Sequence, residues 1–215
     1  MGTGRRREVV PDLRAATPAD APLVLALTLA AYEEYRGVLV PESGVFRETV
    51  EQVRRHLEGR ADVRGPAPGA AGPAAPAHSG GVIASVDGEA VGCARWSVQS
   101  DEAVAEAVAD AERSAAEAGR SGDGKERPRA FLYVGRVAVL PAHRGHGIAT
   151  ALMAWCEGLA RQRGLAEVRL GVRLTLSRNE AFYRRLGYRA TGHVESREGY
   201  GPIAIWMSRR LDPPA

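Results

Sequence analysis

The residues best equipped for chemistry stand together in the stretch Val137-Ala138-Val139-Leu140-Pro141-Ala142-His143-Arg144-Gly145-His146-Gly147-Ile148-Ala149-Thr150. The apolar run before Pro141 reads as a strand, Gly145 and Gly147 as a loop, and Ile148 onward as a helix. A helix N-terminus exposes unpaired N–H groups and the positive end of a dipole, so anions, phosphates above all, settle there. Glycine at 145 and 147 removes the Cβ atoms that would hold a diphosphate off the backbone, and Arg144 adds positive charge at the same spot. His143 and His146 border this loop, where they can contact phosphate or solvent.

Three kinds of phosphate site are built this way. A P-loop needs GxxxxGK[ST], and no lysine follows either glycine. A dinucleotide fingerprint needs GxGxxG, but Thr150 stands where the third glycine belongs. Glu167, roughly 20 residues on, precedes the next strand instead of ending it, which misplaces it for a ribose. The third kind takes Arg144-x-x-Gly147-x-Ala149 behind Val137-x-Val139 as one unit.

The elements that must position this loop are legible on both sides of it. Leu13 to Ala16 reads as a short strand, and Thr17-Pro18-Ala19-Asp20 as the start of a first helix running to about Tyr35. A second helix is predicted from Gly44 to Arg60, with Val50, Val53, His56 and Leu57 at helical spacing. Val82 to Val86 and Ala90 to Val98 flank Asp87-Gly88, a pair suited to the positive φ angles of a tight turn, and predict a β-hairpin. Phe131 to Leu140 is an apolar strand stopped by Pro141. Residues 148, 152, 155, 156 and 159 then put one apolar face on a helix from Ile148 to Gly164. Val168 to Leu174 predicts a strand, Asn179 to Leu186 a short helix closed by Gly187, and Tyr188 to Val194 with Ile203 to Met207 the last two strands. Residues 65–81 carry no apolar side chain larger than alanine or proline and are expected to be a mobile insertion, as are residues 100–129, acidic and alanine-rich before turning polar. The organisation expected is an N-terminal tail at 1–12, one domain over 13–211 and a tail at 212–215.

Composition narrows the function. Of 215 residues 45% are hydrophobic and 26% charged, which places the chain among globular proteins. The net charge of +3 arises from 29 Lys and Arg against 26 Asp and Glu, an imbalance too small for a nucleic-acid-binding face. Cys93 and Cys156 lack CxxC spacing and give neither a disulfide framework nor a zinc site, so no metal is expected and a reducing, cytoplasmic setting is. The apolar run Ala21 to Ala31 is too short to span a bilayer. It also follows Asp12, Arg14 and Asp20, which spoils it as a signal-peptide core behind Arg5-Arg6-Arg7. No membrane partner is expected.

With its Arg-x-x-Gly-x-Ala loop behind Val-x-Val, the chain resembles the GNAT superfamily of N-acetyltransferases. Leu13 to Asp20, the Asp87-Gly88-Glu89-Ala90-Val91-Gly92 hairpin, Phe182-Tyr183-Arg184-Arg185-Leu186-Gly187-Tyr188 and the closing Met207-Ser208-Arg209-Arg210-Leu211 are similar to successive family elements. The resemblance implies an α+β GNAT fold, a mixed and mostly antiparallel sheet flanked by helices, with acetyl-CoA bound where two parallel strands splay apart. It implies that the amides of Arg144, Gly145, His146, Gly147, Ile148, Ala149 and Thr150 cradle the coenzyme A pyrophosphate. Backbone groups of Val137, Ala138 and Val139 would hold the pantetheine arm, and Asn179 would start its helix and touch that arm. Tyr183 matches the family tyrosine that protonates the coenzyme A sulfur. Asn179 departs from the family pattern, in which asparagine often stands nearly two turns before the tyrosine.

Acetyl transfer to an amine also needs the amine neutral. Glu48, Glu195 and Glu198 are candidate bases, and water chains are an alternative. Cys156, on the apolar face of its helix, reads as inert core, so direct transfer in a ternary complex is expected instead of an acyl-enzyme. Tyr32, Tyr35 and Arg36, with Tyr200, fall where the family builds the acceptor side. The acceptor expected is a small-molecule amine or a peptide amine, and a homodimer is an allowed assembly. The rival function is a coenzyme A-binding sensor or scaffold without turnover.

Overall fold

The computed structural model describes residues 10–59, 78–101 and 130–212. Among them the chain forms β1 (Asp12–Ala16), α1 (Ala21–Tyr32), α2 (Val50–Leu57), β2 (Ser79–Val86), β3 (Glu89–Ser100), β4 (Ala130–Val139), α3 (Ile148–Gln162), β5 (Glu167–Arg173), α4 (Ser177–Arg185), β6 (Arg189–Arg197) and β7 (Gly201–Arg210). The strands make one seven-stranded sheet in the order β1-β2-β3-β4-β5-β7-β6. Every neighbouring pair is antiparallel except β4 and β5. This is the α+β architecture that the sequence leads one to expect, a mixed and mostly antiparallel sheet flanked by helices.

Alternation along the strands divides the core into two layers. Val82, Ala84, Val91, Ala94, Leu132, Val168 and Leu170 pack under α3, which contributes Ile148, Leu152, Met153, Cys156 and Ala160. Ile83, Cys93 and Ala138 point to the opposite face and pack under α1 and α2 with Val24, Leu27, Val53 and Leu57. The β2–β3 turn is the two-residue Asp87-Gly88, with φ of 52° and 82° closing the Val86↔Glu89 pair. Asp and Gly tolerate positive φ, as this kind of hairpin requires.

Several boundaries differ from the sequence reading. The helix expected over 44–60 splits into a 3₁₀ turn at Gly44–Arg47 and α2 at Val50–Leu57. Thr49 breaks it: its Oγ1 accepts from Gln52 N at 3.3 Å while Gln52 Oε1 accepts from Thr49 N at 2.8 Å, a reciprocal cap that starts a new helix. Residues 79–81 of the expected mobile insertion stand inside β2, and Gly80 and Gly81 are buried because Trp96 and Leu57 cover them. Composition hid this, since small residues there make room for large neighbours. Ser100 closes β3, so the second insertion is displaced at its start. Residues 60–77 and 102–129, with the remainder of both expected insertions, lie outside the described residues. The first expected helix also tightens into a 3₁₀ turn at Glu33–Tyr35 after α1 ends.

Candidate active site

β4 and β5 run parallel but pair only through Leu132↔Val168 and Tyr133↔Arg169. Beyond these pairs the strands part around a cleft of about 840 Å³, lined by both strands, the end of α1 and the start of α4. A β-bulge accompanies the parting. Arg136 and Val137 together face Ala94, between the pairs Cys93↔Ala138 and Arg95↔Gly135, and Arg136 has φ of 52°. That conformation is strained for a residue with a Cβ. A bulge bends its strand and interrupts the ladder, which here turns the second half of β4 away from β5.

The loop after β4 meets the cleft at the start of α3. Gly147 is the N-cap of this 15-residue helix, with φ of 83° and no side-chain cap on the first amides. A Cβ at Gly147 would meet nothing within 4 Å, so the backbone conformation, not crowding, calls for glycine. Ile148 and Val139 send their side chains into the core, at 2% and 9% exposure, and Ala138 packs against α1. Val139 and Ala138 therefore offer the cleft their main chain. Val137, Ala138, Val139, Arg144 and Ala149 line the cleft, while Gly145, Gly147 and Thr150 are exposed beside it and His146 is half-buried.

Arg144 is turned elsewhere. Its Nε donates to the Val139 carbonyl at 3.1 Å, its Nη2 to the Ala31 carbonyl at 2.8 Å and its Nη1 to Glu34 Oε1 at 2.7 Å. The guanidinium ties the loop to α1, and much of the charge expected for a phosphate is met by Glu34. Burial raises the Glu34 pKa, but hydrogen bonds from Arg144 and Tyr35 outweigh it and the carboxylate titrates below its ordinary value.

On the opposite wall Tyr183 lines the cleft from α4, its ring edge-on to Phe182 at 5.0 Å and Tyr188 at 5.9 Å. Burial raises its pKa well above 10, so the phenol is neutral. Asn179 lies in the first turn of α4, two residues after the helix begins at Ser177, and so does not start the helix as expected. Leu176 is the N-cap, and Asn179 N donates to its carbonyl at 2.9 Å. Tyr35 stands between Glu34 and Asn179: burial raises its pKa, the bond to Glu34 adds to this, and the bond with Asn179 opposes it. Arg144, Glu34, Tyr35 and Asn179 therefore link the glycine loop to α4 across the cleft mouth.

Residues 51–188, more than half of the chain, match the acetyltransferase (GNAT) family. The chain belongs to the GNAT acetyltransferase family. Solved GNAT structures share its fold. The acetyltransferase of Streptococcus pneumoniae is 15% identical with TM-score 0.59, over 94% of this chain and 100% of that one. Ribosomal-protein-alanine N-acetyltransferase of Brucella melitensis is 19% identical with TM-score 0.58, over 93% and 99%. The PaiA N-acetyltransferase of Thermoplasma acidophilum, solved with coenzyme A, is 14% identical with TM-score 0.57, over 94% and 99%. No curated protein matches the chain.

As a GNAT acyltransferase, the enzyme brings together some of its expected groups and separates others. Glu195 lines the cleft, but Glu48 is held in ion pairs by Arg95 Nη2 at 2.5 Å and Arg136 Nη2 at 2.8 Å. Both of its oxygens are occupied by these guanidiniums, so it is not placed to meet an acceptor's ammonium. Glu198 is exposed and does not line the cleft. Tyr32 and Tyr35 line it, whereas Arg36 pairs with Glu33 and Tyr200 stands exposed beyond it. His143 lies next to the loop with its Nδ1 buried and unpartnered. Burial pushes the Cys93 thiol up to about 11 and that of Cys156 up to about 12, and both cysteines are free. Among the described residues no helix is long and apolar enough to cross a membrane, and no group of three metal-binding side chains converges.

Sequence reading missed several residues of this GNAT cleft, Glu34 among them. Tyr133, Arg136 and Arg173 all line it, on β4 and β5. One signal was available for Arg136: it places a full charge inside the otherwise apolar β4, which is costly unless the position has a polar partner or faces solvent.

Proposed function

We propose that the chain is an acetyl-CoA-dependent N-acetyltransferase that moves an acetyl group to a primary amine by direct transfer in a ternary complex. The observation that carries this reading is the convergence of three features on one cleft. These are the parted β4 and β5, the uncapped N-terminus of α3 behind two glycines of positive φ, and Tyr183 on the facing helix.

When bound, acetyl-CoA supplies an acetyl thioester whose carbonyl an amine can attack. The chain's own groups do the rest. Amides from Arg144 to Thr150, at the positive end of the α3 dipole, hold the diphosphate. Main-chain groups of Val137, Ala138 and Val139, left without a β5 partner, hold the amides of the pantetheine arm. Asn179 supports that arm from α4. Tyr183 gives its proton to the departing sulfur. Burial makes a phenol a weaker acid, yet the same water-poor cleft makes a thiolate a stronger base, so the donation is not made more uphill by desolvation alone. Glu195 or water takes a proton from the acceptor's ammonium, and the neutral amine so formed attacks the thioester carbonyl. Neither cysteine is an acyl carrier, since thiols with raised pKa in the core are poor nucleophiles. Two free thiols suit the reducing cytoplasm.

Thermal shift with coenzyme A, acetyl-CoA and NAD, followed by thiol release against a panel of amines, tests the reading. Stabilisation by the two coenzymes and release with at least one amine is the expected result. Stabilisation without release by any amine would favour a sensor or scaffold, and stabilisation by NAD alone would overturn the assignment.

A further inference from the structure

The two arginines that interrupt the cleft strands converge on one short segment. Arg173 Nη2, on β5, donates to the Pro41 carbonyl at 2.7 Å. Arg136, on β4, brings its Nη2 to 3.6 Å from where a Cβ of Gly44 would stand. Both guanidiniums thus reach the segment 41–44, itself part of the cleft lining through Glu42, Ser43 and Gly44.

The charge there is not balanced by the groups in direct contact. Among the described residues Glu48 is the one carboxylate in contact with Arg136, and it is shared with Arg95, so this trio keeps one net positive charge. Arg173 makes no ion pair among the described residues, and its Nε is buried without a hydrogen-bond partner. Such a donor is costly unless a ligand completes it. Glu195 and Arg197, which also line the cleft, act on Arg173 with opposite signs, and burial lowers its pKa. A cationic, partly dehydrated corner next to the glutamate best placed to meet an ammonium is the complement of a molecule carrying both charges.

We propose that the acceptor is an amine that also carries an oxyanion, held by Arg173 and Arg136 while its amino group lies toward Glu195. This deepens the acetyl-transfer reading and rests on it. A guanidinium fork matches carboxylate and phosphate alike, and hydrogen bonds to charged groups are roughly twice as strong as neutral ones. Acidic and zwitterionic amines therefore bind in preference to their neutral counterparts, and a polycationic amine meets repulsion at the same corner.

Matched pairs test this by calorimetric titration into the full chain, with and without coenzyme A. They are 4-aminobutyrate against 4-aminobutyramide, glycylglycine against glycylglycinamide, and phosphoethanolamine against ethanolamine. The anionic member of at least one pair should bind about tenfold or more tightly than its partner. The first two pairs against the third decide between carboxylate and phosphate. Arg173→Gln should abolish the preference and Arg173→Lys should keep part of it, with the melting transition of each variant checking the fold. Equal binding within every pair, no binding of any anionic member, or a preference that survives Arg173→Gln would overturn the proposal. Thiol release is followed separately: its failure with every amine counts against acetyl transfer, and the titrations still report on the anion corner.

Discussion

Arg144 Nη1 donates to Glu34 Oε1 at 2.7 Å, so the cation of the glycine loop is bound to the end of α1 across 110 residues of sequence. At 37% and 43% side-chain exposure the pair contributes little to stability, less than about 1 kcal/mol. Its effect on ligands is larger. Glu34→Gln removes a negative charge beside the anion site and leaves Arg144 uncompensated, so coenzyme A should bind about two- to threefold more tightly at low salt, the gain fading as salt rises. Calorimetry at two ionic strengths checks this, and a tenfold weakening would show that Glu34 itself holds the ligand.

Gly147 separates strain from charge. With φ of 83° and open space around its missing Cβ, Gly147→Ala costs about 1 kcal/mol through backbone conformation alone. Gly147→Glu has the same strain and adds an anion where a diphosphate binds. Like charges at about 4 Å and an effective dielectric near 20 repel strongly enough to imply roughly a hundredfold or greater loss of coenzyme A affinity. Equal losses for the two variants would refute the cradle.

Tyr183→Phe removes one oxygen and keeps the ring against Phe182 and Tyr188. The fold should survive, and the Kd for acetyl-CoA should change less than about threefold, while kcat falls by roughly 10² to 10⁴. Because burial holds the phenol's pKa above its ordinary 10, its ionisation should leave no alkaline limb in the wild-type rate profile below about pH 10. Turnover of the phenylalanine variant at the wild-type rate would leave water as the proton donor.

His56 should make the protein acid-sensitive. Its Nε2 lies 3.2 Å from the Gly80 carbonyl, and burial, with the charge of Arg95, pushes its pKa down to about 4. In the unfolded chain histidine titrates near 6.5, so between pH 6.5 and 4 the unfolded state binds the extra proton. Stability is full above that window, declines as pH falls through it by up to about 3 kcal/mol, and loses nothing further from this residue below pH 4. Urea midpoints at pH 7 and 4.5 measure the decline, which should be distinctly smaller in His56→Gln.

Gly80 is a packing position within β2. A Cβ there would lie 2.6 Å from Trp96 Cζ2, and the indole is held on its other contacts by the Arg163 guanidinium at 4.4 Å. Gly80→Ala should therefore cost about 1–3 kcal/mol in urea unfolding. A neutral substitution would mean that Trp96 can move aside freely.

The sequence by itself determined whatever depends on near neighbours. The apolar spacing of α3, the Asp87-Gly88 turn and the glycines ahead of Ile148 are set by local backbone geometry, so periodicity and turn chemistry reveal them. Tyr183 was legible through a short motif on one helix. Tertiary structure decided the rest. Glu48 reaches Arg95 over 47 residues and Arg136 over 88, and Arg173 reaches Pro41 over 132. Those meetings depend on strand order, on a register shift between Cys93 and Arg95, and on where β4 leaves β5. None of these has a local residue code, because a bulge or a parting strand is set by the sum of packing on both faces of the sheet. For the same reason the succession of strand, glycine loop and helix was legible, while the partner of Arg144, a side chain free to choose among distant acceptors, was settled only once α1 had been placed beside it.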